Sequence, residues 1–310
     1  MRDGVSPATD LSAIHVLWTA PATARGGTFA PPPFELLTLV LSVRSWQEFH
    51  GPVRLHTDDL GSATLDALGL LDLYDEVRPS LQAVDPVAVD PVIYYTGGKI
   101  VALAAEDAPV AMVDLDLFLR EPLPLGTADF LFAHWETTDS DTYPAADRLP
   151  GAQRFIDGAP PLPERACNTA VAVFGDERHL RAFTDAALSF MDGNADPGDL
   201  PPVALPAFCE QRLVLREAAR LGIRVAPVMP GMWNSRDSVW IGPSPEKYFH
   251  HTWHHKRSLA NYHRHRDAYC LRLLVELALR YPGEIPRLRR IPSLAPYFAA
   301  ARVLAEVDPR

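Results

Sequence analysis

Residues 110 to 119, VAMVDLDLFL, form an apolar run broken by two acids one residue apart. Val110, Met112, Val113, Leu115, Leu117, Phe118 and Leu119 are what a central parallel strand buries on both faces. Side chains two apart in a strand share a face, so Asp114 and Asp116 point the same way. Two like charges there repel and lose hydration. They must gain a cation, a hydrogen-bond network or an open strand end.

The segments leading to this run alternate as an open α/β sheet requires. AIHVLWTA (13–20) is a β-rich run closed by Pro21, and VRLHTDD (53–59) is a second strand ending in turn chemistry. Between them FELLTLVLSVRSWQEF (34–49) has apolar residues at helical spacing. A short helix in SATLDALGLLDL, a short strand in YDEVRP and a helix opened by two glycines, TGGKIVALAAED (96–107), follow. Further strands are expected at DFLFAHWE (129–136), NTAVAVFG (168–175) and IRVAPVMP, and helices at 177–193, 210–222 and 258–281, with a helical tail near 293–307. Proline clusters such as GAPPLPER read as rigid loops between elements.

Composition narrows the functional classes. Lys+Arg of 29 against Asp+Glu of 39 gives a net charge of −10, a poor basis for gripping duplex nucleic acid. One nucleotide needs only a local site and is not excluded. Three well-separated cysteines, Cys167, Cys209 and Cys270, fit a reducing compartment better than a disulfide framework. No apolar run reaches membrane-span length, and MRDGVSPATDLSAIHVLW has no apolar core of a secretory leader. A cytoplasmic protein without membrane or nucleic-acid partners is expected.

Ligands of open α/β sheets bind beyond the carboxyl ends of the strands, near where strand order reverses. Polar residues collect at those ends: Trp18 and Thr19 after the first strand, Asp58 and Asp59 after the second, Asp114 and Asp116 after the acidic one. Such a ring suits a nucleotide with a divalent ion, and hard oxygen ligands favour Mg²⁺ or Mn²⁺. A plain turn explains Asp58-Asp59 equally well. Near the far end, KYFHHTWHHKR (247–257) offers His250, His251, His254 and His255. One imidazole added to the two acids completes a metal site, and Lys256 or Arg257 can neutralise a diphosphate. The bland reading is a solvated His-rich turn, preferred for His263 and His265. A zinc site from the histidines alone lacks a Cys partner at the usual spacing.

LHTDD, TGGKIVAL, MVDLDLFLREPLP, NTAVAVFG, EQRLVL and FHHTWHHKR occur in the order seen in metal-dependent GT-A glycosyltransferases. Over roughly residues 13 to 257 the chain resembles the glycogenin and galactinol-synthase type, family 8, and related glycosyltransferase-like proteins. The resemblance implies a single Rossmann-like GT-A domain over 1–310, with a mixed central sheet. Its nucleotide-binding half would span about 11–120, its acceptor half about 121–257 and a C-terminal helical extension about 258–310. It implies a metal-dependent transferase taking a nucleotide-diphosphate sugar, with a small molecule or glycan as acceptor.

Matched position by position, Asp114 and Asp116 correspond to the D-x-D metal ligands. His250 and Lys256 carry the spacing of the His-x-x-Gly-x-x-Lys motif, which supplies a third metal ligand and a phosphate-binding Lys. Trp253 stands where that motif has Gly, and His251 remains a rival to His250. Lys99 matches a basic residue against the donor. Asn168 and the Glu210-Gln211 pair match residues near the donor sugar, where Glu210 either orients the sugar or acts as a base. Polar and aromatic residues for an acceptor pocket are available at His134, Trp135 and Glu136 and at Trp233, Asn234 and Arg236, although ordinary packing explains them equally well.

Three other readings compete. A HAD-type phosphatase also uses Asp-x-Asp at a strand end, but Phe118 stands where a small or β-branched residue is usual. A nucleotidyltransferase would want a basic Gly-rich loop after the first strand, which TAPATARGGTF supplies weakly. A sugar-binding relative without catalysis would have less need of Asp114, Asp116 and His250.

Overall fold

The computed structural model describes residues 10–155, 164–194, 196–243 and 245–307. The proline-rich loop expected at 158–165 lies almost wholly outside them. The strands are β1 (Ala13–Leu17), β2 (Val53–Thr57), β3 (Glu76–Arg78), β4 (Val110–Val113), β5 (Leu117–Leu119), β6 (Phe130–Thr137), β7 (Arg165–Phe174), β8 (Val225–Pro227), β9 (Met232–Asn234), β10 (Val239–Ile241) and β11 (Phe249–His251). The α-helices are α1 (Ala20–Ala24), α2 (Pro33–Phe49), α3 (Asp59–Ala67), α4 (Gly97–Ala104), α5 (Glu177–Asp192), α6 (Ala204–Ala207), α7 (Leu213–Leu221), α8 (Lys256–Asn261), α9 (His263–Arg280), α10 (Ile285–Leu288) and α11 (Ala295–Val307).

A nine-stranded sheet runs β10-β9-β6-β7-β4-β1-β2-β3, with β8 alongside β6. β4, β1, β2 and β3 are mutually parallel, while β7 is antiparallel to both β4 and β6. The fold is therefore the expected α/β class with a mixed central sheet. From β1 the chain moves outward through β2 and β3, then returns to place β4 on the other side of β1. Strand order thus reverses between β1 and β4, and a crevice opens at their carboxyl ends.

Both faces of the sheet are covered, which is why its central strands read as unbroken apolar runs. Along β4, Val110 and Met112 enter the core shared with α4, α5 and α7, while Ala111 and Val113 enter the one shared with α2 and α9. α2 is wedged between the sheet and α9, so it is apolar nearly all round: Leu36, Leu37, Val40, Leu41, Val43 and Trp46 are all buried. Among the described residues no helix is long and apolar enough to cross a membrane.

The structure departs from the sequence pattern at three places. Residues 110–119 are not one strand: β4 ends at Val113, and β5 belongs to a separate two-stranded sheet with β11. The long helix expected at 258–281 is two, because Tyr262 is extended between α8 and α9. The hairpin of β9 and β10 carries no readable periodicity, since each strand has three residues.

Two core histidines make stability sensitive to acid. His15 is fully buried, with Ser42 Oγ 3.0 Å from Nε2 and Tyr74 Oη 3.2 Å from Nδ1. Burial takes its pKa down to about 3, and that of His50 down to about 4. The unfolded chain takes up these protons first, so their contribution is complete above about pH 6.5 and drains away as pH falls toward 3–4. Urea unfolding is expected to show a loss of about 2 kcal/mol per histidine between pH 7 and pH 5. His15→Asn should remove its share of that slope, and an unchanged slope would contradict the assignment.

Candidate active site

The two acids sit where the chain leaves the sheet. Asp114 N donates to Ala170 O of β7 at 2.8 Å, Leu117 N donates to Asp114 O at 3.0 Å, and Thr252 N donates to Asp116 O at 3.0 Å. The Asp-Leu-Asp segment is therefore a turn between β4 and β5, pinned from both sides. It lies at the reversal of strand order, next to the end of β1.

The third member comes from β11. This strand pairs antiparallel with β5, His251 opposite Leu117 and His250 opposite Phe118. Successive side chains in a strand face opposite ways, so one of the two histidines at most can face the acids. It is His251: Nε2 lies 3.8 Å from Asp114 Oδ2 and 3.7 Å from Asp116 Oδ1. This corrects the expectation for His250, which points to the other face. There its Nδ1 is 2.8 Å from Glu246 Oε1 and its Nε2 2.6 Å from Tyr269 Oη, and its ring packs on Phe118. Thr252 Oγ1 joins the same phenol at 2.7 Å, so His250 braces β11 against α9. The side chain of His254 lies outside what the structure describes.

Two lysines flank the acids. Lys99 Nζ is 2.6 Å from Asp114 Oδ1 and 2.9 Å from Glu210 Oε1, and Lys256 Nζ is 3.1 Å from Asp116 Oδ2. Lys99 reaches this position because α4 begins on two glycines. A Cβ at Gly98 would stand 3.0 Å from Trp18 Cβ, and one at Gly97 only 2.6 Å from Val89 Cγ1. Burial opposes the charge on Lys99, but Asp114 and Glu210 outweigh it and hold the ammonium well above its usual range. Burial likewise opposes the charge on Asp116, yet His251 and Lys256 hold its carboxyl below the ordinary range. Asp114 is pushed up, first by burial, with Asp116 adding to it against the pull of Lys99. Three carboxylates share two ammoniums, and Asp114 is the one whose charged form is disfavoured.

Asp114, Asp116, His251, Lys99, Lys256, Glu210 and Asn168 all line one cleft of about 360 Å³. Thr169 Oγ1 donates to Glu210 Oε1 at 2.5 Å and fixes that carboxylate together with Lys99. Asn168 is committed elsewhere: its Oδ1 accepts from Ala170 N at 3.0 Å and its Nδ2 donates to Glu136 Oε1 at 2.6 Å. Trp18, Thr19 and Asp58 are not among the described lining residues. Asp58 accepts from Thr19 N at 2.8 Å, from Thr19 Oγ1 at 2.9 Å and from Gly61 N at 2.9 Å, so it caps α3 and ties β2 to β1. The turn explanation for that acid is the better one. Trp18 is the surface on which Gly98 rests.

Glu136 lies diagonal to Asn168 across β6 and β7 and is buried. Burial raises its pKa, against the lowering effect of its bonds from Tyr143 and Asn168. Tyr143 Oη lies 2.5 Å from Glu136 Oε2 and also contacts Gln211 Oε1. Nothing in the sequence pattern points to Tyr143, which comes from a polar loop. Trp135 faces away from Glu136, packing on Phe132 at 4.5 Å, while His134 packs on Trp240 at 4.6 Å. Asn234 Oδ1 accepts from Arg236 N and Asp237 N and so shapes the hairpin turn.

The ligand atoms of Asp114, Asp116 and His251 lie within 4.8 Å of one another, and the three can hold a metal ion. Two carboxylates and an imidazole suit a hard to borderline divalent ion. Asp116 Oδ2 is buried, and among the described residues its charged neighbour is Lys256 Nζ at 3.1 Å, which an incoming cation would have to displace.

A profile of the family described as a family of unknown function (DUF6734) matches residues 11–291. The chain belongs to that family. No curated protein matches it. Solved structures with partial backbone likeness to the chain include three glycosyltransferases. They are the PaToxG glycosyltransferase (13% identity, TM-score 0.36, 64% of this chain and 69% of that one), the galactosyltransferase LgtC with donor and acceptor sugar analogues (12%, 0.35, 70% and 73%), and mouse xyloside xylosyltransferase 1 in its apo form (13%, 0.31, 65% and 81%). The matched family segment contains every residue of the cleft.

The two histidines are expected to separate on substitution. His251→Ala should weaken Mn²⁺ binding, followed by titration calorimetry or EPR, by more than about tenfold. His250→Phe should keep Mn²⁺ binding but lower stability by about 1–3 kcal/mol, because Tyr269 loses a buried partner. The reverse pattern would return the ligand role to His250.

Proposed function

We propose that the chain is a metal-dependent glycosyltransferase, moving a sugar from a nucleotide-diphosphate donor to an acceptor in an adjoining cleft. The observation that carries this reading is the Asp114–Asp116–His251 group at the reversal of strand order, with Lys99 and Lys256 on either side. Sugar transfer passes through an oxocarbenium-like state and expels a diphosphate. The protein's main task is then to hold the developing negative charge in a partly dry site.

In this reading Asp114, Asp116 and His251 would hold Mn²⁺ or Mg²⁺. When bound, the ion supplies positive charge to the diphosphate oxygens. Lys256, from the first turn of α8, moves from Asp116 toward the leaving group as charge appears there. Lys99 bridges Asp114 and Glu210 and fixes their separation. Glu210, held by Lys99 and Thr169, faces the cleft and orients the sugar. Asn168 acts through Glu136, whose position it fixes, and not through the donor directly. We read the nucleotide-binding half at about 11–120 and the acceptor half at about 121–257 as one GT-A-like unit with a helical extension. The clustering of three carboxylates around two ammoniums supports the ion, and a diphosphate would add further negative charge.

The test is thermal stabilisation by UDP, GDP, TDP and ADP, each with and without Mn²⁺. One diphosphate is expected to stabilise the protein only with the ion, by about 2.7 kcal/mol at a hundredfold excess over Kd. EDTA and Asp116→Asn should both remove the shift, and Asp116→Asn should abolish turnover of the matching sugar nucleotide while leaving the fold intact. No shift with any diphosphate would sink the proposal.

A further inference from the structure

A second cleft, of about 440 Å³, opens beside the first and shares Val203, Gln211 and Trp253 with it. Its volume falls in the range of small-molecule sites, about 300–1,000 Å³. Trp253 is the partition. Its ring lies nearly parallel to that of His251, 6.1 Å away, and edge-on to Trp233 at 5.0 Å. Trp233 is in turn edge-on to Trp240 at 5.4 Å. The plane of Trp253 is therefore fixed by one stacked and one edge-on aromatic contact.

The polar part of the wall is neutral or acidic. Glu136, Thr142, Tyr143, Gln211, Ser235 and Ser238 line it, and no Lys or Arg is among the described lining residues. An anionic guest would face Glu136 with no cation to offset it. A pyranose, by contrast, offers a C–H face to an indole and a rim of hydroxyls to amides, hydroxyls and carboxylates. Trp253 also stands where the sequence departs from the resembled motif, which has Gly.

We propose that this second cleft is the acceptor subsite and that it takes a neutral pyranose stacked on Trp253. The assignment rests on the transferase reading of the first cleft. It makes Trp253 the residue that sets acceptor specificity, with Glu136, Tyr143 and Gln211 receiving the hydroxyls on the opposite side.

Saturation-transfer NMR on the full chain tests it, with the methyl β-pyranosides of glucose, galactose and xylose as probes and methyl β-glucuronide as the anionic control. At least one neutral probe should receive saturation on its ring C–H protons, and the glucuronide should not. Trp253→Gly should weaken that binding by about tenfold or more, and Trp253→Phe by no more than about threefold. Thr142→Trp, which fills the cleft from its rim, should abolish it without touching Trp253. Failure of all neutral probes to bind, equal binding of the glucuronide, or undiminished binding by Trp253→Gly would overturn the assignment. Diphosphate stabilisation without pyranoside binding would sink the acceptor subsite alone. Pyranoside binding without diphosphate stabilisation would sink the transferase reading and, with it, the acceptor role.

Discussion

Three carboxylates, Asp114, Asp116 and Glu210, face one cleft against two ammoniums, Lys99 and Lys256. Taking charges out of water is costly unless geometry and hydrogen bonding compensate. Much of the surrounding structure supplies that compensation. β4 stops at Val113 so that the acids stand at an open strand end. Two glycines let α4 approach Trp18 closely enough for Lys99 to bridge two carboxylates. β11 pairs with β5 so that an imidazole and the first turn of α8 come to the same point. Asp114, Asp116 and His251 are left close enough together to hold a metal ion.

The supports behind the cleft are specific. His250, Tyr269 and Thr252 form a buried network on the reverse of β11 that the half-exposed Glu246 closes, and Asp58 ties the ends of β1 and β2 together. Neither reaches the cleft, yet both set the positions of groups that do. A residue can thus sit next to a histidine that faces the acids and itself serve as bracing. The distinction is set by the two-residue repeat of a strand.

Much of the sheet and the acid pair were legible because their signals are strong. Charged residues that interrupt an apolar run stand out, and amphipathic helices such as α5 and α7 declare themselves by spacing. The choice between His250 and His251 was not legible. It depends on how β11 registers against β5, which involves residues more than 130 positions away. Asp58 sat at a strand end like the true cleft residues, but its neighbours Thr19 and Gly61 consume its oxygens. Tyr143 belongs to no pattern, and β9 and β10 are too short to show one. The break at Tyr262 was hidden because helical spacing alone does not mark a single extended residue.

The most direct measurement of the central claim is anomalous diffraction at the manganese edge from crystals grown with Mn²⁺ and the stabilising nucleoside diphosphate. The account predicts one peak bounded by Asp114, Asp116 and His251, with the diphosphate beside Lys256. A peak elsewhere, or a diphosphate bound here with no peak at all, would contradict it.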